Sequence, residues 1–216
     1  MKRIVLVAAV AAACGGSSNT AVDRNHAGSG SSTLLVTATA TVTVSDTAPA
    51  TTYSVTVKDG MNANVTGATV TLGGLALTDA GNGSYTGSQT TYPTGDLSLS
   101  VVNGTDNVQG VVVGYPGAHA INAPAGGSTV TANQPLHVSW TTPSVAKSAK
   151  ITLSSGGFST QAPDSGAYDV PAANNTARTG QRVTVSRSNE VDIAGGLPGS
   201  SIKVTVSLQT DAFTVQ

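Results

Sequence analysis

The 216-residue sequence has little charge, few aromatic residues and one cysteine. Charged residues make up 10% and aromatic residues 4% of the chain, and the formal net charge is -1. A chain so close to neutrality has no electrostatic basis for binding nucleic acid, an affinity that comes largely from neutralising phosphates. A single cysteine cannot form a disulfide within the chain. No apolar run reaches the roughly 20 residues that a membrane-spanning helix needs.

The sequence is also poor in residues that favour surface helices, since Glu190 is its only glutamate. Threonine and valine are abundant, and both favour strands. Between Val36 and Val44 apolar residues alternate with threonines, which places the two types on opposite faces of a half-buried strand. Similar runs recur along the chain, separated by turn signals such as Pro198-Gly199. This pattern predicts an all-β fold of two tandem Ig-like β-sandwiches.

The first residues combine a basic head, a short apolar stretch and three alanines before Cys14. This arrangement predicts a secretory signal peptide over residues 1–13. A cysteine directly after small residues resembles the type II signal peptide of bacterial lipoprotein precursors. The resemblance implies cleavage before Cys14, a diacylglyceryl group on its sulfur and acylation of the new amino group with a palmitate-like chain. The alternative is an ordinary signal peptide cleaved after Ala13, with Cys14 left as a free thiol.

The rest of the chain divides into a linker and two strand-rich segments. Residues 14–33 are rich in Gly, Ser and Asn with few apolar residues, which predicts a flexible tether. A break at Pro116-Gly117 separates residues 34–116 from residues 117–216. Both segments have the size of an Ig-like domain of about 100 residues.

Two short motifs resemble known modules of bacterial surfaces. Residues 67–72, a Gly-Ala-x-Val-x-Leu strand, and the Gly83-Ser84-Tyr85 turn resemble carboxypeptidase-regulatory-like and bacterial Ig-like modules. Residues 124–130, followed by a strand that ends near Trp140, resemble the opening of Ig-like and fibronectin-III-like modules. The second resemblance implies that Trp140 is a buried core residue. Such modules specify an architecture and carry no chemistry of their own.

No catalytic or metal-binding pattern is present in the sequence. His26, His119 and His137 lack a second histidine or cysteine at metal-ligand spacing, and no Gly-x-Ser-x-Gly motif occurs. We therefore predict no enzymatic activity, no cofactor and no metal. An enzyme would need a pocket that gathers His119 or His137 with acidic groups.

Two loops carry oxygen-bearing side chains that could bind Ca²⁺. Their spacing does not match known calcium loops, and turn formation by Asp and Asn explains them better. The residues are Asp79, Asn82 and Ser84 in one loop, and Asn103, Thr105 and Asp106 in the other.

Tyrosines are the one remaining candidate for a binding surface. Tyr92 and Tyr115 each precede a proline at a turn-like position, so we predict that they are the most exposed tyrosines. Exposed tyrosines can stack on sugar rings. The alternative is that each tyrosine caps the hydrophobic core of its own domain.

These observations predict a non-enzymatic cell-envelope lipoprotein that serves as a structural, adhesive or assembly module. Its partners would be the membrane, through the lipid, and an envelope protein or a polysaccharide. By the family's sorting rule, Gly15 after the cysteine implies the outer membrane of a Gram-negative cell. One alternative is a carbohydrate-binding envelope protein, and another is an enzyme with a spatially assembled site.

Overall fold

The computed structural model describes residues 24–45 and 48–216. These residues form strands and turns, with one short 3-10 helix and no α-helix, so the predicted all-β fold class is confirmed. Within the same ranges no helix is long and apolar enough to cross a membrane. The predicted signal peptide and Cys14 lie outside the described residues.

The strands are short, and turns connect most of them. In chain order they are β1 (His26–Gly30), β2 (Leu34–Thr43), β3 (Ala50–Asp59), β4 (Thr69–Leu72), β5 (Leu75–Ala76), β6 (Thr78–Asp79), β7 (Ser84–Gln89), β8 (Leu97–Asn103), β9 (Asp106–Val113), β10 (Ile121–Ala123), β11 (Thr129–Val130), β12 (Leu136–Trp140), β13 (Ser148–Leu153), β14 (Ser159–Ala162), β15 (Ala167–Val170), β16 (Arg178–Gln181), β17 (Val183–Asp192), β18 (Ser201–Gln209) and β19 (Phe213–Val215). The 3-10 helix (Ala172–Asn174) lies between β15 and β16.

The first sandwich packs two sheets against each other. One sheet has the strand order β1-β9-β8-β4-β5, and the other includes β18-β2-β3-β7-β6. Because apolar residues alternate along each strand, one face of each sheet points inward. Their inward side chains, among them Val36, Tyr53 and Val111, form one hydrophobic cluster, which we call core one.

The second sandwich surrounds a separate hydrophobic cluster, core two. Its sheets are β10-β12-β15, β11-β19-β16 and the strands β14-β13-β17. Trp140 is 3% exposed and packs in this core together with Ile151 and Phe213. Its burial confirms the prediction from the second resemblance.

A single eight-stranded sheet, in the order β14-β13-β17-β18-β2-β3-β7-β6, runs through both sandwiches. It is continuous because β18 pairs in parallel with β2, from Ser201 opposite Thr37 to Ser207 opposite Thr43. The segment 117–216, predicted as one domain, therefore supplies strands to both sandwiches.

The strand β17 shows how one strand serves two cores. Its inward positions Val183 and Val185 lie in core two, whereas Val191 lies in core one. Between them, the inward positions Arg187 and Asn189 are polar and buried. The two polar residues mark the joint between the sandwiches, where the strand passes from one core to the next.

The strand β1 corrects the prediction of a flexible tether over residues 14–33. Residues 26–30 pair antiparallel with β9, so the tether prediction is wrong for this part. The strand is held by backbone hydrogen bonds and close backbone packing, which the small polar side chains permit. A Cβ at Gly30 would collide with the carbonyl oxygens of Asn107 and Gly195. Composition alone did not reveal a strand stabilised in this way.

The outward face of the eight-stranded sheet carries many hydroxyl groups, and we call it the hydroxyl face. Because strand pairing places partners side by side, its serines and threonines form rows across the sheet. One such row, the hydroxyl row, comprises Ser148, Ser188, Thr205, Thr41, Thr52 and Ser88.

Candidate functional site

The two tyrosines predicted as a binding surface do not form one. Tyr115 is 8% exposed and packs in core one, so the prediction of its exposure is wrong. Its burial raises its pKa to about 12. Tyr92 is half-buried, and its hydroxyl bonds the backbone nitrogen and carbonyl oxygen of Ser45 at 3.0 Å each. Both rings are engaged with the protein's own core, as the alternative interpretation held.

His26 and His137 each have their own hydrogen-bond partner. His26 lies in β1, and its Nδ1 is 2.8 Å from the carbonyl oxygen of Gly110. His137 points to solvent, as its alternation with apolar neighbours indicates, and its Nδ1 lies 2.7 Å from the Asp169 carboxylate. The two residues of this pair are cross-strand neighbours on an open surface, with side chains 61% and 67% exposed.

The oxygen-rich loops act as turns in the structure. The Asp79 carboxylate accepts hydrogen bonds from the backbone nitrogens of Gly67 and Gly81 at 2.6 and 2.7 Å. These backbone bonds hold the pKa of Asp79 below its usual value. In the second loop, Asp106 accepts a hydrogen bond from the Thr33 hydroxyl at 2.7 Å. Across residues 24–45 and 48–216 no three His, Cys, Asp or Glu residues gather in a metal-binding group.

The most distinctive polar arrangement is a buried ion pair at the joint. Arg187 and Asp164 have side chains 0% and 2% exposed. The guanidinium donates to both carboxylate oxygens, with nitrogen–oxygen distances of 2.6–3.0 Å. Trp140 donates its indole N–H to the same carboxylate at 2.8 Å. Charge-assisted bonds of this geometry are stronger than neutral ones, so Asp164 is fully occupied within the protein.

The same guanidinium also holds the chain that connects the two sandwiches. Its remaining N–H groups donate to the carbonyl oxygens of Pro116, at 2.7 Å, and Ser144. Pro116 begins the segment that the sequence predicted as a domain break. The break is therefore fixed by hydrogen bonds to a buried charge.

A second residue of β17, Asn189, makes a matching set of contacts. Its amide nitrogen donates to the carbonyl oxygens of Gly114, at 2.8 Å, and Val145, at 3.0 Å. Its amide oxygen accepts from the backbone nitrogen of Lys147 at 2.7 Å. Arg187 and Asn189 together tie β17 to the segments before β10 and before β13.

The third histidine, His119, is buried beside this ion pair. It is 4% exposed, and its Nε2 lies 3.1 Å from the carbonyl oxygen of Val185. Because a carbonyl oxygen only accepts, Nε2 carries the proton of the neutral ring. Burial and the nearby positive charge of Arg187 lower the pKa of His119 to about 4. Among residues 24–45 and 48–216, its Nδ1 has no hydrogen-bond partner.

The joint was missed by sequence analysis, although a signal was present. Position 187 continues the inward-facing series of β17, where an arginine interrupts a run of valines. A charged residue at a buried strand position needs a partner. Asp164 occupies a turn between β14 and β15, and its sequence context indicated only the turn.

Comparison with known proteins finds similarity among solved structures only. No protein-family model and no curated protein matches the chain. Fibronectin(III)-like modules of CbhA from Clostridium thermocellum align over 81% of this chain and 94% of theirs, with 14% identity and a TM-score of 0.28.

Two adhesin structures align over a similar share of the chain. The adhesin InvE of Yersinia pseudotuberculosis aligns over 82% of this chain and 60% of its own, with 16% identity and a TM-score of 0.26. A structure concerning host cell surface retention of a 1.5-MDa bacterial ice-binding adhesin aligns over 86% of this chain and 66% of its own. Its identity is 15% and its TM-score 0.26.

Proposed function

We propose that this protein is a non-enzymatic cell-envelope lipoprotein whose folded part acts as a rigid structural or adhesive module. The observation that carries the proposal is the joint between the sandwiches. The strand β17 contributes residues to both cores and joins the second sandwich to β18 of the first through nine residue pairs, from Thr184 opposite Gln209 to Asp192 opposite Ser201. Bending there would break sheet hydrogen bonds and expose the Arg187–Asp164 pair, and both changes cost free energy.

The surroundings of the histidines support a non-enzymatic role. The His137–Asp169 pair stands on an open surface, where no pocket excludes water from a reaction. His119 is buried beside a guanidinium and stays neutral. Neither arrangement combines an accessible reacting atom with surroundings that exclude water, a combination that catalysis needs.

The proposed anchor is a lipid on Cys14, as the resemblance to lipoprotein precursors implies. Arg24 lies at the joint, where its guanidinium donates to the carbonyl oxygen of Tyr115 at 2.8 Å and pairs with Asp96. Arg24 comes ten positions after Cys14, and an extended chain spans at most about 3.6 Å per residue. The anchor would therefore hold the joint within about 36 Å of the bilayer.

Metabolic labelling with a palmitate analogue in a Gram-negative host tests the anchor. We expect label in the full-length protein, recovery with the outer membrane, and no label in a Cys14→Ser variant. Label that persists in Cys14→Ser, or a wild-type protein that takes up none, would contradict the proposal.

Nuclear relaxation measurements on the secreted Cys14→Ser protein test the rigid joint. We expect amides of β3, in the first sandwich, and of β12, in the second, to report one common rotational correlation time. Two clearly different correlation times would show sandwiches that move independently and would contradict a rigid module.

A further inference from the structure

A polar depression of about 260 Å³ lies on the hydroxyl face. It is formed by the neighbouring strands β14, β13, β17 and β18, at the end of the eight-stranded sheet that belongs to the second sandwich. Its lining consists of Lys147, Ser148, Gln161, Ser188, Glu190 and Lys203.

Lysines outnumber acids by three to two at this depression and its edge. Lys150 is exposed and lies opposite Gln161 in the sheet, so it adds a third lysine at the edge of the depression. Two acids share this face. Exposed Asp192 is the next outward residue of β17 after Glu190, and Glu190 approaches Lys203 only to 3.7 Å, with both side chains about half exposed, at 47% and 45%. Exposed pairs of this kind are weak. No ion pair found among the described residues involves the other two lysines.

The floor of the depression supplies hydroxyl donors. In the lining, the hydroxyl oxygens of Ser148 and Ser188 lie 3.1 Å apart. Beside the depression on the same face of the sheet, those of Ser186 and Ser207 lie 2.8 Å apart. A hydroxyl pair uses one of its two protons for the bond between them. Each pair therefore keeps one proton for a ligand oxygen.

The hydroxyl row extends this surface beyond the depression. It starts at Ser148 and Ser188 in the depression and crosses the sheet to Ser88 on β7. Adjacent strands are about 4.8 Å apart, so five steps span about 24 Å. The outward-facing residues of these strands include no aromatic ring, and a ligand would be held by charge and hydrogen bonds rather than by stacking.

We propose that the lysine depression and the hydroxyl row bind a linear polysaccharide that carries carboxylates, of the polyuronate class. This inference rests on the proposed adhesive function and names its ligand class. Ammonium groups attract the repeating carboxylates, and serine and threonine hydroxyls bond the sugar oxygens along the row. Each contact is exposed and weak, so a polymer gains its affinity by engaging several of them at once. The attraction falls as salt shortens the electrostatic range.

Retention of the full-length wild-type protein on immobilised polygalacturonate tests the proposal, with neutral dextran as the reference polymer. We expect retention on polygalacturonate at low ionic strength, release by salt, and no retention on dextran. The triple variant Lys147→Gln, Lys150→Gln, Lys203→Gln is expected to bind at least tenfold more weakly.

Lys58→Gln is the matched control, because Lys58 is a lysine of the first sandwich whose ammonium group donates to Asn62 in its own turn, outside the depression and the hydroxyl row. It is expected to bind like the wild type, and all variants are expected to keep the wild-type circular dichroism spectrum and melting temperature. Equal binding by the triple variant and the wild type, or equal retention on dextran, would overturn the proposal.

Two further measurements, of vesicle binding and of self-association, would assign the surface to another partner if the proposal is wrong. Binding to vesicles of anionic phospholipid without binding to polygalacturonate would assign the lysines to a lipid surface. If the wild type self-associates, the triple variant does not, and neither binds polyuronate, the lysines would be assigned to contact with a second copy of the chain. Absence of polyuronate binding alongside normal palmitate labelling and a single correlation time would overturn this inference and leave the proposed function standing.

Discussion

Arg187 and Asp164 form an ion pair that is shielded from solvent between two hydrophobic cores, with side chains 0% and 2% exposed. The pair lies where β17 passes from core two to core one. Its guanidinium reaches the carboxylate of one loop and the carbonyl oxygens of Pro116 and Ser144 in two others. Several segments that are distant in sequence therefore depend on one buried charge.

Removing the carboxylate of this pair should strongly destabilise the protein. Asp164→Asn leaves the Arg187 charge buried without its counterion, and such a loss costs about 3–5 kcal/mol. Urea unfolding measures the effect. Asp169→Asn is the matched control, because Asp169 pairs with His137 on the open surface and should change stability by under about 1 kcal/mol. Equal effects of the two variants would contradict the structural role of the buried pair.

Stability should fall as the pH decreases from about 6.5 towards 4, because of His119. Its pKa is lowered from 6.5 to about 4 by burial and by the Arg187 charge. Above pH 6.5 the ring is neutral in both states, so it has no effect there. Below that pH the unfolded chain binds the proton first, which favours unfolding. The loss amounts to about 3 kcal/mol and levels off below the folded pKa.

Urea unfolding at a series of pH values checks this expectation. His119→Gln keeps a donor for the Val185 carbonyl oxygen but cannot titrate. The free energy of unfolding of the wild type, relative to that of His119→Gln, should therefore decrease between pH 6.5 and 4. A difference that stays constant over this window would show that His119 protonates freely in the folded protein.

At alkaline pH the buried phenol of Tyr115 should destabilise the folded state. Burial raises its pKa from 10.0 to about 12. The unfolded chain therefore loses this proton first, and stability present below pH 10 is lost as the pH rises towards 12. Unfolding measured across this range should show a smaller loss for Tyr115→Phe than for the wild type. An identical loss in both proteins would mean that the phenol titrates without hindrance in the fold.

Adding one methyl group at Gly30 should loosen β1. A Cβ there meets the carbonyl oxygens of Asn107 and Gly195, and overpacking of this kind costs about 1–3 kcal/mol. Gly30→Ala should lower the melting temperature and speed hydrogen exchange at Gln109, opposite β1. Gly95→Ala is the control, since nothing lies within 4 Å of a Cβ at Gly95. Faster exchange in the control alone would contradict the close packing at Gly30.

Alternation along single strands was enough to predict the fold class, and the resemblance to Ig-like and fibronectin-III-like modules implied the buried position of Trp140. The parallel pairing of β18 with β2 could not be predicted, because register between strands more than 150 residues apart depends on packing that no local pattern encodes. The strand β1 was missed because backbone bonds hold it, while its side chains have the composition of a linker. Tyr115 was predicted to be exposed from its turn-like neighbours, but burial of its ring in core one decided its position.

The contribution of β18 and of the end of β17 to core one determines when the N-terminal half of the chain can finish folding. Val191, Ile202 and Val204 belong to core one, so this core stays open until the last strands have been synthesised. Until then β2 presents an unpaired edge, and pairing over such long sequence separations is slow. Unpaired edges invite aggregation. A chain truncated before Ser201 would lack β18, so the first sandwich could not complete its core.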